Sequence, residues 1–251
     1  GFYSMAIRFA EMPTKHFMAP MLMPVYAALA KKQDEPQLFA RSVRQVIGAT
    51  AAVMLPVAML FATLSEALVG VLLGANWTAA VPLVAPMIFT LMFASLTDPA
   101  ASALTLLGRV RLLAALHWFS ALSVVLVMLA AAQGEDLELL AWTRVGLAIA
   151  LALVYYHWLR SALDLTWADL FGCVYRPGLA AFALGAVTSA INSATLGAWA
   201  TLVSATLLGT VVYVVALYGL WRIASPDNAG EALLARKVLL LFGRAVARLR
   251  S

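Results

Sequence analysis

The chain has 251 residues, 64% of them hydrophobic and 12% charged, with a formal net charge of +5 and a single cysteine. Soluble domains carry about 25% charged and roughly 45–50% apolar residues, so this composition excludes an ordinary globular enzyme. Long apolar runs, each able to cover the roughly 20 residues of a membrane crossing, predict an all-α, polytopic transmembrane helix bundle, because lipid offers no partner to an open backbone.

Seven hydrophobic segments follow in chain order: about 3–30, 46–65, 79–107, 112–132, 137–158, 174–192 and 198–221. The first opens without a basic, signal-like start, and Gly1 is no initiator methionine, so the chain reads as the back part of a longer protein. Within this segment Arg8, Glu11 and Lys15 are spaced i, i+3, i+7, which places them within about 60° of one another on a helix. Glu11 precedes Lys15 by four residues, the favourable order for an intrahelical pair, and Arg8 is then the freest cation. His16 borders this stripe, and Pro13, Pro20 and Pro24 predict kinks.

Gly74, Asn76 and Trp77 close the second segment and start the third, which holds Asp98. The fifth contains Arg144, two residues beyond Trp142 and near one end. Between Arg176 and Arg222 lies a charge-free stretch too long for one crossing, and Asn192, Ser193 and Gly197 supply the turn that splits it. Residues 226–251 form a separate unit. There Arg236, Lys237, Arg244 and Arg248 share one helical face, opposite Leu234, Val238, Leu241, Phe242 and Leu249, the pattern of a basic amphipathic tail on anionic lipid.

Lys and Arg test this division. Lys31, Lys32, Arg41 and Arg44 lie in the first connection, Arg109 and Arg111 in the third, Arg160 and Arg176 in the fifth, and the remaining cluster from Arg222 onward in the tail. The second, fourth and sixth connections carry only Glu66, Glu135, Asp136 and Glu138 as charges. An odd number of crossings with the first residue outside and the C-terminus in the cytoplasm accounts for this alternation. The basic balance is thus a signal of topology and membrane-surface contact. Nucleic-acid binding is not expected, since no basic stretch is interleaved with aromatics on a soluble surface.

Three cations, Arg8, Lys15 and Arg144, and two acids, Glu11 and Asp98, remain inside the spans. Each costs at least about 2.5–3.5 kcal/mol to insert, so each needs a wet cavity or a partner. One reading makes these five a substrate-binding set in an anion-attracting cavity, where the planar fork of Arg8 suits a phosphate. The other has them pair among themselves to hold the bundle. His16, His117 and His157 lie on three helices without an i+3 or i+4 partner that could complete a metal site, and Cys173 has no second cysteine for a disulfide. Phosphate loops, HExxH and GxSxG are absent, so neither an enzyme, a metal nor a cofactor is expected.

These residues also resemble a known family, the Wzx-type O-antigen and polysaccharide flippases of the multidrug/oligosaccharidyl-lipid/polysaccharide exporter superfamily. Gly1 to Pro13 is similar to the family's G-x-Y-x-x-A-x-R-x-x-E-x-P helix, and Pro24 to Pro36, PVYAALAKKQDEP, to its helix exit and loop. Leu55-Pro56, Glu66 to Val69 and Leu73 to Trp77 resemble its P…E-x-L-V…L-G-x-x-W stretch, and Leu107 to Arg111 its L-G-R-x-R loop. The ordered series covers residues 1 to about 115. It aligns the seven segments with helices eight to fourteen of a fourteen-helix, two-lobed fold.

The resemblance implies translocation of an undecaprenyl-diphosphate-linked oligosaccharide across the bacterial plasma membrane, for lipopolysaccharide or exopolysaccharide synthesis. It places Arg8 in the cavity between lobes and makes an N-terminal lobe, or a partner half, a required companion. Lys15, Asp98 and Arg144 rest on the burial argument alone. Two other readings compete: a cation-coupled multidrug exporter of the same superfamily, which would favour acids over cations in the cavity, and a membrane-embedded ligase or glycosyltransferase, which needs catalytic groups in an aqueous loop.

Overall fold

The computed structural model describes residues 2–15, 19–131, 137–192 and 197–223. The described chain is helical throughout: α1 Phe2–Pro13, α2 Ala19–Ala30, α3 Pro36–Thr63, α4 Ser65–Leu72, a 3₁₀ turn Ala75–Ala80, α5 Val81–Leu106, α6 Val110–Ala131, α7 Leu137–Leu163, α8 Trp167–Asn192 and α9 Ala198–Ile223. Among the described residues six helices, α3 and α5 to α9, are long and apolar enough to cross a membrane. The basic tail expected at 226–251 lies outside the described residues.

The first expected segment is described as α1, which passes at Pro13 into a wider π-type turn through Thr14 and Lys15, and as α2; residues 16–18 between them lie outside the described residues. Proline withholds the N–H that would extend the α ladder, and the change of helix geometry begins next to Pro13. α3 starts ten residues before the expected boundary, with Pro36 in its first turn. Arg41 and Arg44, read as loop residues, therefore sit on a helix. Charge lowers hydropathy without lowering helix propensity, and long basic side chains reach water from a helix end.

Two sets of helices meet along the α3–α5 contact: α3 with α8 and α9, and α5 with α1, α6 and α7. Ala6, Ala10, Ala51, Met54, Met87 and Ile88 fill the middle of this junction. Phe39, Ile47, Leu104, Leu113, Leu159 and Leu170 fill the end into which the basic connections run. At the opposite end Phe9 packs with Val69 and Val84, under α4 and the 3₁₀ turn.

Local chemistry fixes the turns. α5 ends in a Schellman motif: Gly108 has φ +73°, its N–H donates to Thr105 O at 2.9 Å, and the Arg109 N–H donates to Leu104 O at 3.0 Å. The glycine of the L-G-R-x-R stretch is therefore a helix stop. α8 opens with a capping box, in which Asp169 Oδ2 accepts from Thr166 N at 3.0 Å and Thr166 Oγ1 accepts from Asp169 N at 3.2 Å. Pro56 removes the N–H that would reach the Ala52 carbonyl, and the Tyr213 hydroxyl of α9 donates to that oxygen at 2.6 Å.

Candidate functional site

α1 presents two faces. Ala6 and Ala10 are buried against the α3–α5 junction, and the Phe9 ring lies tilted against that of Phe61 with centroids 5.5 Å apart. Ser4, Arg8, Met12 and Lys15 are exposed on the other side, and Glu11 lies at the border. A helix in lipid would carry apolar side chains there. Two cations on this face mark it as facing water, headgroups or another protein surface. Lys15 Nζ pairs with the Glu11 carboxylate one turn back, as the spacing predicts. The Arg8 guanidinium extends from the exposed side of the same helix and stays charged at any physiological pH.

A second polar region lies between α5, α6 and α7. It is a cavity of about 260 Å³ lined by Asp98, His117, Arg144 and Tyr155, with Thr90 and Ser120 between them. His117 Nδ1 lies 2.8 Å from the Leu113 carbonyl, one turn back on its own helix, and can donate to it. The Tyr155 ring stands edge-on to the imidazole at 6.2 Å. Asp98 and His117 line the same cavity from α5 and α6. Thr90 and Arg144 line the cavity nearer the other end of α5 and α7.

Of the five residues singled out from the sequence, the structure gathers Arg8, Glu11 and Lys15 on α1 and the π-type turn that continues it, and Asp98 and Arg144 in the α5–α6–α7 cavity. It does not bring all five into one site. Arg144 turns toward α1, where its Nη1 donates to the Tyr3 hydroxyl at 2.7 Å. Tyr3 and Arg8 are five residues apart, about 140° around the helix, so Arg144 and Arg8 work on different faces of α1. His117 was read from the sequence as one of three scattered histidines, and only the packing of α6 on α5 and α7 reveals its partners. His16 lies outside the described residues. His157 is exposed on α7 beside Trp158. Among the described residues no cluster of three His, Cys, Asp or Glu side chains forms that could hold a metal ion.

Toward the basic end, Arg44 on α3 reaches Asp169 on α8 at 2.7 Å, and Lys32 donates to Ser42 at 3.0 Å. Arg160 lies over the Trp167 ring at 5.5 Å and Arg222 over Tyr218 at 5.9 Å. Arginine with an aromatic ring is the combination expected where helices leave hydrocarbon for headgroups.

Residues 1–82 match the model of a family described as "Polysaccharide biosynthesis protein". The match spans α1 to the first two residues of α5, and so includes the charged face of α1 but not the α5–α6–α7 cavity. It supports a part in polysaccharide biosynthesis for a multi-pass helical membrane protein. No curated protein and no solved structure matches the chain.

Proposed function

We propose that this protein translocates an undecaprenyl-diphosphate-linked oligosaccharide from the cytoplasmic to the outer leaflet of the bacterial plasma membrane. The observation that carries the reading is the position of Arg8: a guanidinium on the exposed face of α1, inside the segment that matches the polysaccharide family. A diphosphate is the ligand such a fork holds best, through paired charge-assisted hydrogen bonds. Lys15 adds charge one face-turn further along, moderated by Glu11. The apolar face of the bundle offers the prenyl chain a surface like lipid, while the sugar stays with the polar side of α1.

In this reading Gly1 lies outside and the basic connections face the cytoplasm. The charged face of α1 is half of a cleft, completed by an N-terminal lobe or a partner half, and rocking of one half against the other alternates access. The protein supplies binding and passage, with no bond made or broken. The test is lipid sidedness in spheroplasts: depletion of the protein is expected to leave the lipid-linked oligosaccharide out of reach of an impermeant lectin. Unchanged lectin access after depletion would contradict translocation.

A second reading, a cation-coupled multidrug exporter, draws on the cavity that both Asp98 and His117 line, since a carboxylate and an imidazole in one membrane cavity can carry a proton. Under that reading Asp98→Asn abolishes drug resistance conferred on a sensitive host and leaves surface polysaccharide intact. Loss of surface polysaccharide with no resistance phenotype favours the flippase.

A further inference from the structure

The contact between Arg144 and Tyr3 links the cavity wall on α7 directly to the charged helix α1. We infer that this hydrogen bond ties the cavity wall to α1 and sets the rotation and depth of the Arg8-bearing face, which makes Arg144 a positioning residue rather than a group that touches the transported lipid.

Packing holds α1 firmly at one point, Phe9, which is buried against Phe61, Val69 and Val84. Nearer its start the fully buried side chain is Ala6, whose methyl group gives a shallow ridge about which a helix can turn. Past Pro13 the helix widens to π geometry at Thr14 and Lys15. A directional bond at Tyr3 supplies what the alanine does not. The guanidinium cannot shed its charge, and in a membrane span it must keep an acceptor. Tyr3 provides one from a ring that is itself packed in the apolar junction, so holding the hydroxyl holds the helix.

Arg144 Nε is shielded and without a hydrogen-bond partner, so the Nη1 contact to Tyr3 is an anchoring interaction of this head group. Because Tyr3 and Arg8 sit on one short rigid helix, a change at Tyr3 is transmitted to Arg8 as a rotation of the exposed face. Any rearrangement of the cavity that draws Arg144 inward acts on α1 through the same bond. The inference deepens the flippase reading and rests on it for the role of Arg8, but the tie itself can be measured without transport.

The experiment places spin labels at Met12→Cys on α1 and Leu153→Cys on α7, in a Cys173→Ala background, and reads their distance distribution by pulsed dipolar spectroscopy in lipid nanodiscs. Met12 and Leu153 are both exposed. Tyr3→Phe keeps the ring and removes only the acceptor; it is expected to broaden or shift the distribution by about 2 Å, the scale of helix displacements at coupled contacts. Arg144→Gln does the same, and the double variant adds nothing further. Leu147→Ala, one turn along the same cavity wall, leaves the distribution unchanged. An unaltered distribution in Tyr3→Phe would overturn the tie, even if Arg144→Gln failed to insert. Loss of the flippase reading would show instead as normal polysaccharide display in cells lacking Arg8, with the distance change intact.

Discussion

Arg44 of α3 and Asp169 of α8 meet at 2.7 Å through Asp169 Oδ1, while Oδ2 of the same carboxylate accepts from the backbone N–H of Thr166. One aspartate thereby fastens α8 to α3 and closes the first turn of α8. The pair is partly open to solvent, so its ionic part is modest and its geometric part matters more.

Asp169→Ala removes both functions and is expected to cost about 1–2 kcal/mol, against less than about 1 kcal/mol for Arg44→Gln, which leaves the cap in place. Thermal unfolding in detergent, followed by tryptophan fluorescence, gives the order. Equal losses would show that the cap contributes nothing.

Two glycines at the helix contacts have different surroundings. A Cβ at Gly209 would stand 2.7 Å from Thr188 Cγ2, and Thr188 is β-branched, with its hydroxyl held by Thr63 at 2.8 Å. A Cβ at Gly185 would meet only the flexible end of Met59 at such short range. Gly209→Ala should therefore cost about 1–3 kcal/mol, and Gly185→Ala distinctly less. The same unfolding measurement decides it.

Pro56 and Tyr213 form a compensated pair. Tyr213→Phe leaves the Ala52 carbonyl without its donor and should cost about 0.5–1.5 kcal/mol. Pro56→Ala returns a helical N–H to that carbonyl, so the double variant should lose less than the sum of the singles. Strict additivity in detergent melts would contradict the pairing.

The fold was legible where hydropathy and charge speak together. Arg109, Arg111 and Glu138 fall at helix ends that the structure places close to the expected positions, whereas α7 runs on to Leu163 past the expected 158 and α8 starts at Trp167 before the expected 174, so Arg160 and Arg176, expected in a connection, sit on helices. It was less legible where the two conflict: Arg41 and Arg44 lowered hydropathy within what is one continuous helix, α3. The Glu11–Lys15 pair was readable because helical spacing is local. His117 with Asp98, and Arg144 with Tyr3, were not, because 19 and 141 residues separate them in the chain and only tertiary packing joins them. The sequence marked Arg144 as needing a partner, and burial alone could not say that a tyrosine hydroxyl supplies it.

Charge on α1 should grade function. Lys15 is already paired with Glu11, so Lys15→Ala removes less uncompensated charge than Arg8→Ala and should reduce polysaccharide display less. Glu11→Gln frees Lys15 and is expected to retain display. Quantitative lectin binding to whole cells at matched membrane levels ranks the three, and a larger loss for Lys15→Ala than for Arg8→Ala would reverse the assignment.

The central claim is that the Arg8 guanidinium receives the diphosphate. Its most direct test is surface polysaccharide display in a host that depends on the protein, with Arg8→Ala and Arg8→Lys expressed at the parental membrane level. Display should fall by at least about tenfold in both, since lysine keeps the charge but not the bidentate fork. Full display in Arg8→Ala would contradict the account and leave the α1 face as a structural surface only.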